Sequence, residues 1–306
     1  MLWNFLLAIF LLNPISNVYS SDNHYFEFAE KKYSAPTKTE KRNLGAVVSA
    51  KKFAVIDLRS GFILTQKDGN VQQPIASLTK LMTALIVLQA NPDWQKTVEM
   101  EEFDETVGAS PHIYRGERVK FIDLFKSALI SSDNNAIMAM VRSLGFSREE
   151  FVKKMNDQSE KLKMYNTRFA DPTGLSPDNL STAMDVTRLL VEAMEKKEIK
   201  ESVMQEEYFF AIENQKKGRR IFSTDILLQS FLNDSRYGYE LIGGKTGYLP
   251  EAGYCLATLL EKDGRPIIVV VLDSDSIEDR FQDSKILADW VYESFAWSSH
   301  SDAGGL

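Results

Sequence analysis

Residues 75–85 read Ile-Ala-Ser-Leu-Thr-Lys-Leu-Met-Thr-Ala-Leu, with a serine and a lysine three positions apart at the front of an apolar pattern. Leu78, Leu81, Met82, Leu85, Ile86 and Leu88 recur at helical spacing, which predicts a buried-face helix from Ser77 to Gln89. Ser77 then falls at the helix N-terminus, where free backbone N–H groups and the helix dipole favour developing negative charge. Lys80 lies one turn on, along the same face. A lysine activates a neighbouring serine when burial or a second cation lowers its pKa. The same serine is also an ordinary helix cap. A second S-x-x-K, Ser49 to Lys52, sits in a strand-like stretch, where its two side chains point to opposite faces.

Two further stretches bear on that choice. Ser132-Asp133-Asn134 interrupts two helical patterns, and side chains at such a break are placed to face a cleft. Its structural alternative is a helix N-cap. The tripeptide recurs at Ser21–Asn23, in a polar leader, where it carries no functional weight. Lys245-Thr246-Gly247 follows Gly243-Gly244 on a predicted strand. The glycines permit close backbone approach. Lys245 supplies a positive charge and Thr246 a hydroxyl, a combination suited to a carboxylate on a peptide lying along the strand edge. Lys245 is also the cation expected to lower the pKa of Lys80.

Around these stretches the chain divides into four parts. Residues 1–20 carry no charged side chain and read as a signal peptide cut after Ser20, with an uncleaved anchor as the alternative. Residues 21–45 read as a flexible leader, 46–297 as one domain and 298–306 as a tail. Within the domain, Phe53–Arg59 and Phe62–Thr65 read as a β-hairpin. Helices are expected over Phe121–Ile130, Asn134–Leu144, Ser147 to about Met164 with a Ser147/Glu150 capping box, and Ser181–Lys196. Strands follow, with a hairpin turn at Lys262–Arg265, and then a closing helix over Ile277–Trp297. Strands flanking a helical middle predict an α+β fold: an antiparallel sheet with helices on it and a helical subdomain beside it. The closing helix groups Phe281, Leu287, Trp290, Val291 and Phe295 on one side, against a polar face carrying Glu278, Asp279, Arg280, Asp283, Lys285, Asp289 and Glu293. That acidic balance argues for core packing over a membrane surface.

Composition narrows the functions. With 306 residues, 44% hydrophobic, 26% charged and a net charge of −7, the chain has the make-up of a globular protein and no basic surface for nucleic acid. The one cysteine, Cys255, lies in an apolar run and reads as a buried hydrophobe. The three histidines, His24, His112 and His300, show no triad or metal spacing. His112 and Arg115 stand before the second motif without a definite role.

S-x-x-K, S-x-N and K-T-G in that order form a signature shared by penicillin-binding proteins and class A β-lactamases. The stretches PIASLTKLMTAL, YRGERVKFIDLFKSALISSDNNA, FADPTGLSPDNLSTAMD and GGKTGYLPEAGYCLA resemble the serine D-alanyl-D-alanine carboxypeptidases, the low-molecular-mass penicillin-binding proteins, in the short form without a C-terminal β domain. The likeness runs from about Val47 to Phe295. It implies a β-lactamase/transpeptidase-like fold and an exported enzyme of the periplasm or cell-wall space, acting on peptidoglycan stem peptides. The implied roles are Ser77 as acyl-ester nucleophile, Lys80 as its base, Ser132 as proton relay and Asn134 as orienting group. Lys245, Thr246 and Gly247 would bind the substrate carboxylate end, and the Ser77 and Tyr248 backbone N–H groups would form the oxyanion hole. No cofactor, metal or lasting membrane anchor is implied, and β-lactams would act as covalent inhibitors. Many carboxypeptidases have Gly where this chain has Asp133. Alternatives are a crosslink-cutting D-alanyl-D-alanine endopeptidase, a class A-like β-lactamase, and an inactive wall-binding scaffold. A class A β-lactamase needs a loop glutamate, whereas Phe169–Ser181 carries only Asp171 and Asp178 as acids.

Overall fold

The computed structural model describes residues 33–39, 45–106 and 111–298. The stretch expected to be a signal peptide, most of the expected leader, its Ser-Asp-Asn copy and the tail beyond 298 lie outside these residues. A five-stranded antiparallel sheet forms the base: β1 (Lys52–Asp57), β2 (Ile63–Lys67), β3 (Tyr239–Leu249), β4 (Gly253–Lys262) and β5 (Arg265–Ser274), in spatial order β3-β4-β5-β1-β2. Distant parts of the chain thus supply the two edges, as the flanking pattern predicts.

The alternation of β5 explains why both faces are covered. Ile267, Val269 and Val271 join one core cluster, while Ile268, Val270 and Leu272 join the other. A two-residue side-chain period sends them to opposite faces, and an all-apolar run therefore requires two covered faces. On one side lies the closing helix α7 (Asp279–Ser294), with Phe281, Leu287, Trp290 and Val291 buried as expected. On the other lies α5 (Ala183–Met194), which packs on β1, β4 and β5. Beyond it stand α1 (Thr79–Gln89), α2 (Phe121–Ile130), α3 (Asn134–Ser143) and α4 (Arg148–Lys161).

Several boundaries differ from the expectations. Helix α1 begins two residues late, because Ala76–Leu78 form a 3-10 turn with Ala76 at φ +47°. Helix α4 stops at Lys161 and the chain reverses through Lys163 at φ +57°. A short helix, α6 (Lys197–Val203), occupies a stretch between the expected helix and the first expected strand, to which no element was assigned. Three 3-10 turns within Ile226–Tyr237 also went unread. Thr37–Lys38, assigned to the flexible leader, pair with Phe295–Ala296, assigned to the closing helix. Thr39 adds two hydrogen bonds to the Ser294 carbonyl, so this part of the leader is tied to the end of α7.

Candidate active site

Four segments meet where β3 runs beside the start of α1. Ser77 stands in the 3-10 turn ahead of α1, and Lys80 in its first turn. Their side chains share a face, with Lys80 Nζ 2.7 Å from Ser77 Oγ. Lys80 is fully buried. Its Nζ also lies 2.5 Å from Asn134 Oδ1 and 2.7 Å from the Thr173 carbonyl oxygen. These last two atoms only accept hydrogen bonds. A neutral amine satisfies all three neighbours: its two hydrogens go to Asn134 and Thr173, and its lone pair faces the Ser77 hydroxyl. Burial lowers the Lys80 pKa to about 7, with Asp171 and Asp133 opposing the shift.

The second segment is the break between α2 and α3. Ser132 is held at φ +63°, a left-handed conformation that costs a non-glycine residue about 1–3 kcal/mol. There its Oγ accepts a hydrogen bond from Lys245 Nζ at 3.0 Å. Asp133 caps α3 by accepting the Asn135 and Ala136 N–H groups, and its other oxygen accepts the His112 N–H. Asp133 is thus an N-cap, and on either side of it Ser132 meets Lys245 and Asn134 meets Lys80. Asp133 also fastens the residues around His112. The Arg115 side chain faces Glu105 and Glu102 instead of the lysines.

Strand β3 supplies the third wall. Lys245 and Thr246 are nearly fully buried, and Thr246 Oγ1 lies 2.6 Å from Thr224 Oγ1. Gly247 backs onto the turn that carries Ser77: a Cβ there would sit 3.0 Å from the Ile75 carbonyl oxygen and 3.1 Å from Ser77 N. Burial pushes the Lys245 pKa down, and the charges of Lys80 and Arg280 push it further, against Asp225. The repulsion between two nearby cations disfavours the proton on both, as expected of Lys245 and Lys80, beside burial, which is the largest cause at each. A neutral Lys80 removes that repulsion and leaves Lys245 better able to keep its proton. Tyr248, just past Gly247, is half exposed and stacks on Tyr254 with ring centroids 4.3 Å apart.

The fourth segment, residues 170–179, lies in the stretch read for its family resemblance and its lack of glutamate, with no role given to any of its residues. Asp171 accepts hydrogen bonds from Thr173 N, Thr173 Oγ1, Gly174 N and Ser176 N, which folds the loop around a buried carboxylate. Asn179 and Thr83 fasten it to α1. Gly174, at φ +87°, lets the loop press on the turn that carries Ser77, since a Cβ would lie 2.2 Å from the Ala76 carbonyl oxygen. The loop thereby delivers the Thr173 carbonyl to Lys80. Backbone groups leave no residue-type signal, so only the Asp-Pro-Thr-Gly cluster marked the place.

Arg280 was also missed. The amphipathic pattern of α7 assigned it to a polar outer face. It is 5% exposed and donates from Nη1 to the Gly247 carbonyl at 3.1 Å. Its Nε has no partner among the described residues. The second S-x-x-K copy lies apart from the cleft: Ser49 bonds Asp283, and Lys52 bonds Gln73.

The cations Lys80, Lys245 and Arg280 and the carboxylates of Asp133, Asp171 and Asp225 are all buried, and neither lysine is in an ion pair among the described residues. A family model described as D-alanyl-D-alanine carboxypeptidase matches residues 37–276. The chain belongs to that family. Among its relatives, a D-alanyl-D-alanine endopeptidase of Haemophilus influenzae is 31% identical over 77% of this chain and 78% of its own length. A D-alanyl-D-alanine carboxypeptidase of Bacillus subtilis is 28% identical over 83% of this chain and 65% of its own length. The crystal structure of a Streptomyces DD-transpeptidase superposes with a TM-score of 0.75 at 25% identity, covering 82% of this chain and 99% of that one. A penicillin-binding protein of Listeria monocytogenes in its cefotaxime-bound form gives 0.69 at 30% identity, covering 82% and 100%. The β-lactamase/transpeptidase-like α+β fold and the membership of a serine D,D-peptidase family both follow.

Proposed function

We propose that this protein is an exported serine D,D-peptidase that cuts wall-peptide crosslinks after a D-alanine, by way of an acyl-enzyme on Ser77. The observation that carries the acyl-enzyme is the Lys80 amine, buried, 2.7 Å from Ser77 Oγ and flanked by two acceptor-only oxygens. In this reading Lys80 takes the Ser77 proton as Oγ attacks the carbonyl carbon. The Ser77 and Tyr248 N–H groups receive the oxyanion, with Gly247 keeping strand and turn close enough. Ser132, bridging towards Lys245, passes a proton to the leaving amine. Asn134 orients Lys80 and the substrate amide, while Lys245 and Thr246 hold the carboxylate beside the leaving amine. Water then attacks the ester, and Lys80 again serves as base.

The preference for crosslinks rests on the relatives at 31% identity, which are named endopeptidases. The carboxypeptidase reading, release of a terminal D-alanine, uses the same groups and is the alternative. Location outside the cytoplasmic membrane rests on the signal-like pattern of residues 1–20. β-Lactams should acylate Ser77, as the cefotaxime-bound relative suggests.

Two assays test this. Mass spectrometry after incubation with benzylpenicillin should find a long-lived adduct on the peptide holding Ser77. Rapid drug loss with intact protein would point to a β-lactamase, and neither effect to a scaffold. Chromatography of digests of a crosslinked muropeptide dimer and of a pentapeptide monomer should show the dimer falling to monomers faster than the monomer loses D-alanine. The reverse order would favour the carboxypeptidase. A precursor processed after Ser20 and recovered outside the membrane would support export.

A further inference from the structure

A cavity of about 420 Å³ lies against the loop that carries Thr173. Phe103, Thr106, Met138, Arg148, Thr173 and Leu175 line it. Two of these tie it to the site. Thr173 gives its carbonyl to Lys80, and Met138 stands four residues past Asn134, so the two side chains share one face of α3. The cavity therefore begins about one helical turn, some 5 Å, from the group that would orient the scissile amide.

Its walls are fixed. The turn bearing Phe103 is clamped by Arg142, which contacts Asp104 at 2.9 and 2.7 Å and Glu101 at 2.7 Å. Thr106 donates from both N and Oγ1 to Asn135 Oδ1, at 2.9 Å each. The opposite wall is the loop folded around Asp171. Phe103, held on this rigid turn, is 84% exposed. An aromatic ring so presented offers apolar contact at little entropic cost.

The charges are uneven. The acid at the rim, Glu105, is taken by Arg115 at 2.5 Å, and Asp171 is spent on its own loop. Arg148, in the first turn of α4, has no ion-pair partner among the described residues and also borders a second cavity of about 310 Å³. A guanidinium without an ion pair among the described residues, on the wall of a mixed trough whose two acids are already engaged, matches a carboxylate on an otherwise extended chain.

We infer that this trough receives the acyl side of the peptide, and that Arg148 binds a free carboxylate on a residue preceding the D-alanine that is attacked. The inference rests on the D,D-peptidase reading and adds a specificity-determining residue to it. Phe103, Met138 and Leu175 contact the chain regardless of its charge. Arg148 tells a carboxylate-bearing residue from its amide.

The test uses two synthetic peptides ending in D-Ala-D-Ala. They differ only in whether the residue before that pair carries a free side-chain carboxylate or its primary amide. Each competes against benzylpenicillin acylation of the purified protein, followed by intact mass. The carboxylate peptide should protect about three- to tenfold better, the range of a partly exposed charged pair. Arg148→Gln should remove that difference, Arg148→Lys should restore part of it, and Phe103→Ala should weaken both peptides alike. Equal protection by both peptides, none by either, or a preference that survives Arg148→Gln would overturn the inference. A protein that benzylpenicillin does not acylate would overturn the D,D-peptidase reading itself.

Discussion

The chain contains the same four-residue pattern twice, and only one copy becomes a candidate nucleophile pair. At Ser77 and Lys80, the 3-10 turn and helix put both side chains on one face, 2.7 Å apart, with the lysine sealed from water. At Ser49 and Lys52, the chain is entering β1 and the two side chains go different ways. Ser49 Oγ donates to Asp283 at 2.8 Å, and Lys52 Nζ donates to Gln73 at 2.7 Å. The spacing is identical. Helical geometry and burial make the difference, since a three-residue offset aligns side chains on a helix and opposes them on a strand.

Five substitutions can break or sharpen this comparison. Ser77→Ala should abolish benzylpenicillin acylation and D,D-peptidase turnover without loss of the fold, read by mass spectrometry and circular dichroism. Ser49→Ala should leave both activities in place. Lys80→Met should slow acylation by about a thousandfold or more, within the range for loss of a positioned base. Lys52→Met should change it less than about twofold, as expected for a lysine away from the reacting atoms. Gly174→Ala should reduce acylation about a hundredfold, because the clash with Ala76 displaces the nucleophile turn and small misplacements are costly. The smallest effect belongs to the outer copy. Ser49→Ala removes a hydrogen bond to a buried carboxylate and should lower stability by about 1–2 kcal/mol, visible as a shift in the urea midpoint.

The parts that were legible in the sequence share a cause. Side-chain periodicity is written in residue types, so β5, α1 and the buried face of α7 were readable from apolar spacing. The three motifs were readable because their chemistry resides in side chains. Thr173 was not, because its part is played by a carbonyl oxygen whose direction depends on the loop that Asp171 folds. Arg280 and Asp283 were misassigned for another reason. Their position on α7 is polar by pattern, but the helix lies flat enough on the sheet to bury both. Arg280 finds the Gly247 carbonyl, and Asp283 accepts from Ser49 N, Ser49 Oγ, Ala50 N and Ser274 Oγ. A charged residue on an amphipathic helix is solvated only where no buried partner waits for it. Asp133 shows the converse: a residue read either as a cap or as part of a motif serves as the cap that makes the motif's geometry.

The central claim is that a buried, neutral Lys80 activates Ser77. The pH dependence of benzylpenicillin acylation tests it most directly. Below a pKa of about 7 the amine carries a proton and has no lone pair for the serine, and above it the lone pair is free. Acylation measured by intact mass should therefore rise with pH through about 7 and level off above it. The limb should vanish in Lys80→Met, leaving only slow residual acylation. A wild-type rate that stays flat from pH 5.5 to 9, or climbs only towards the ordinary lysine range near 10.5, would contradict the account.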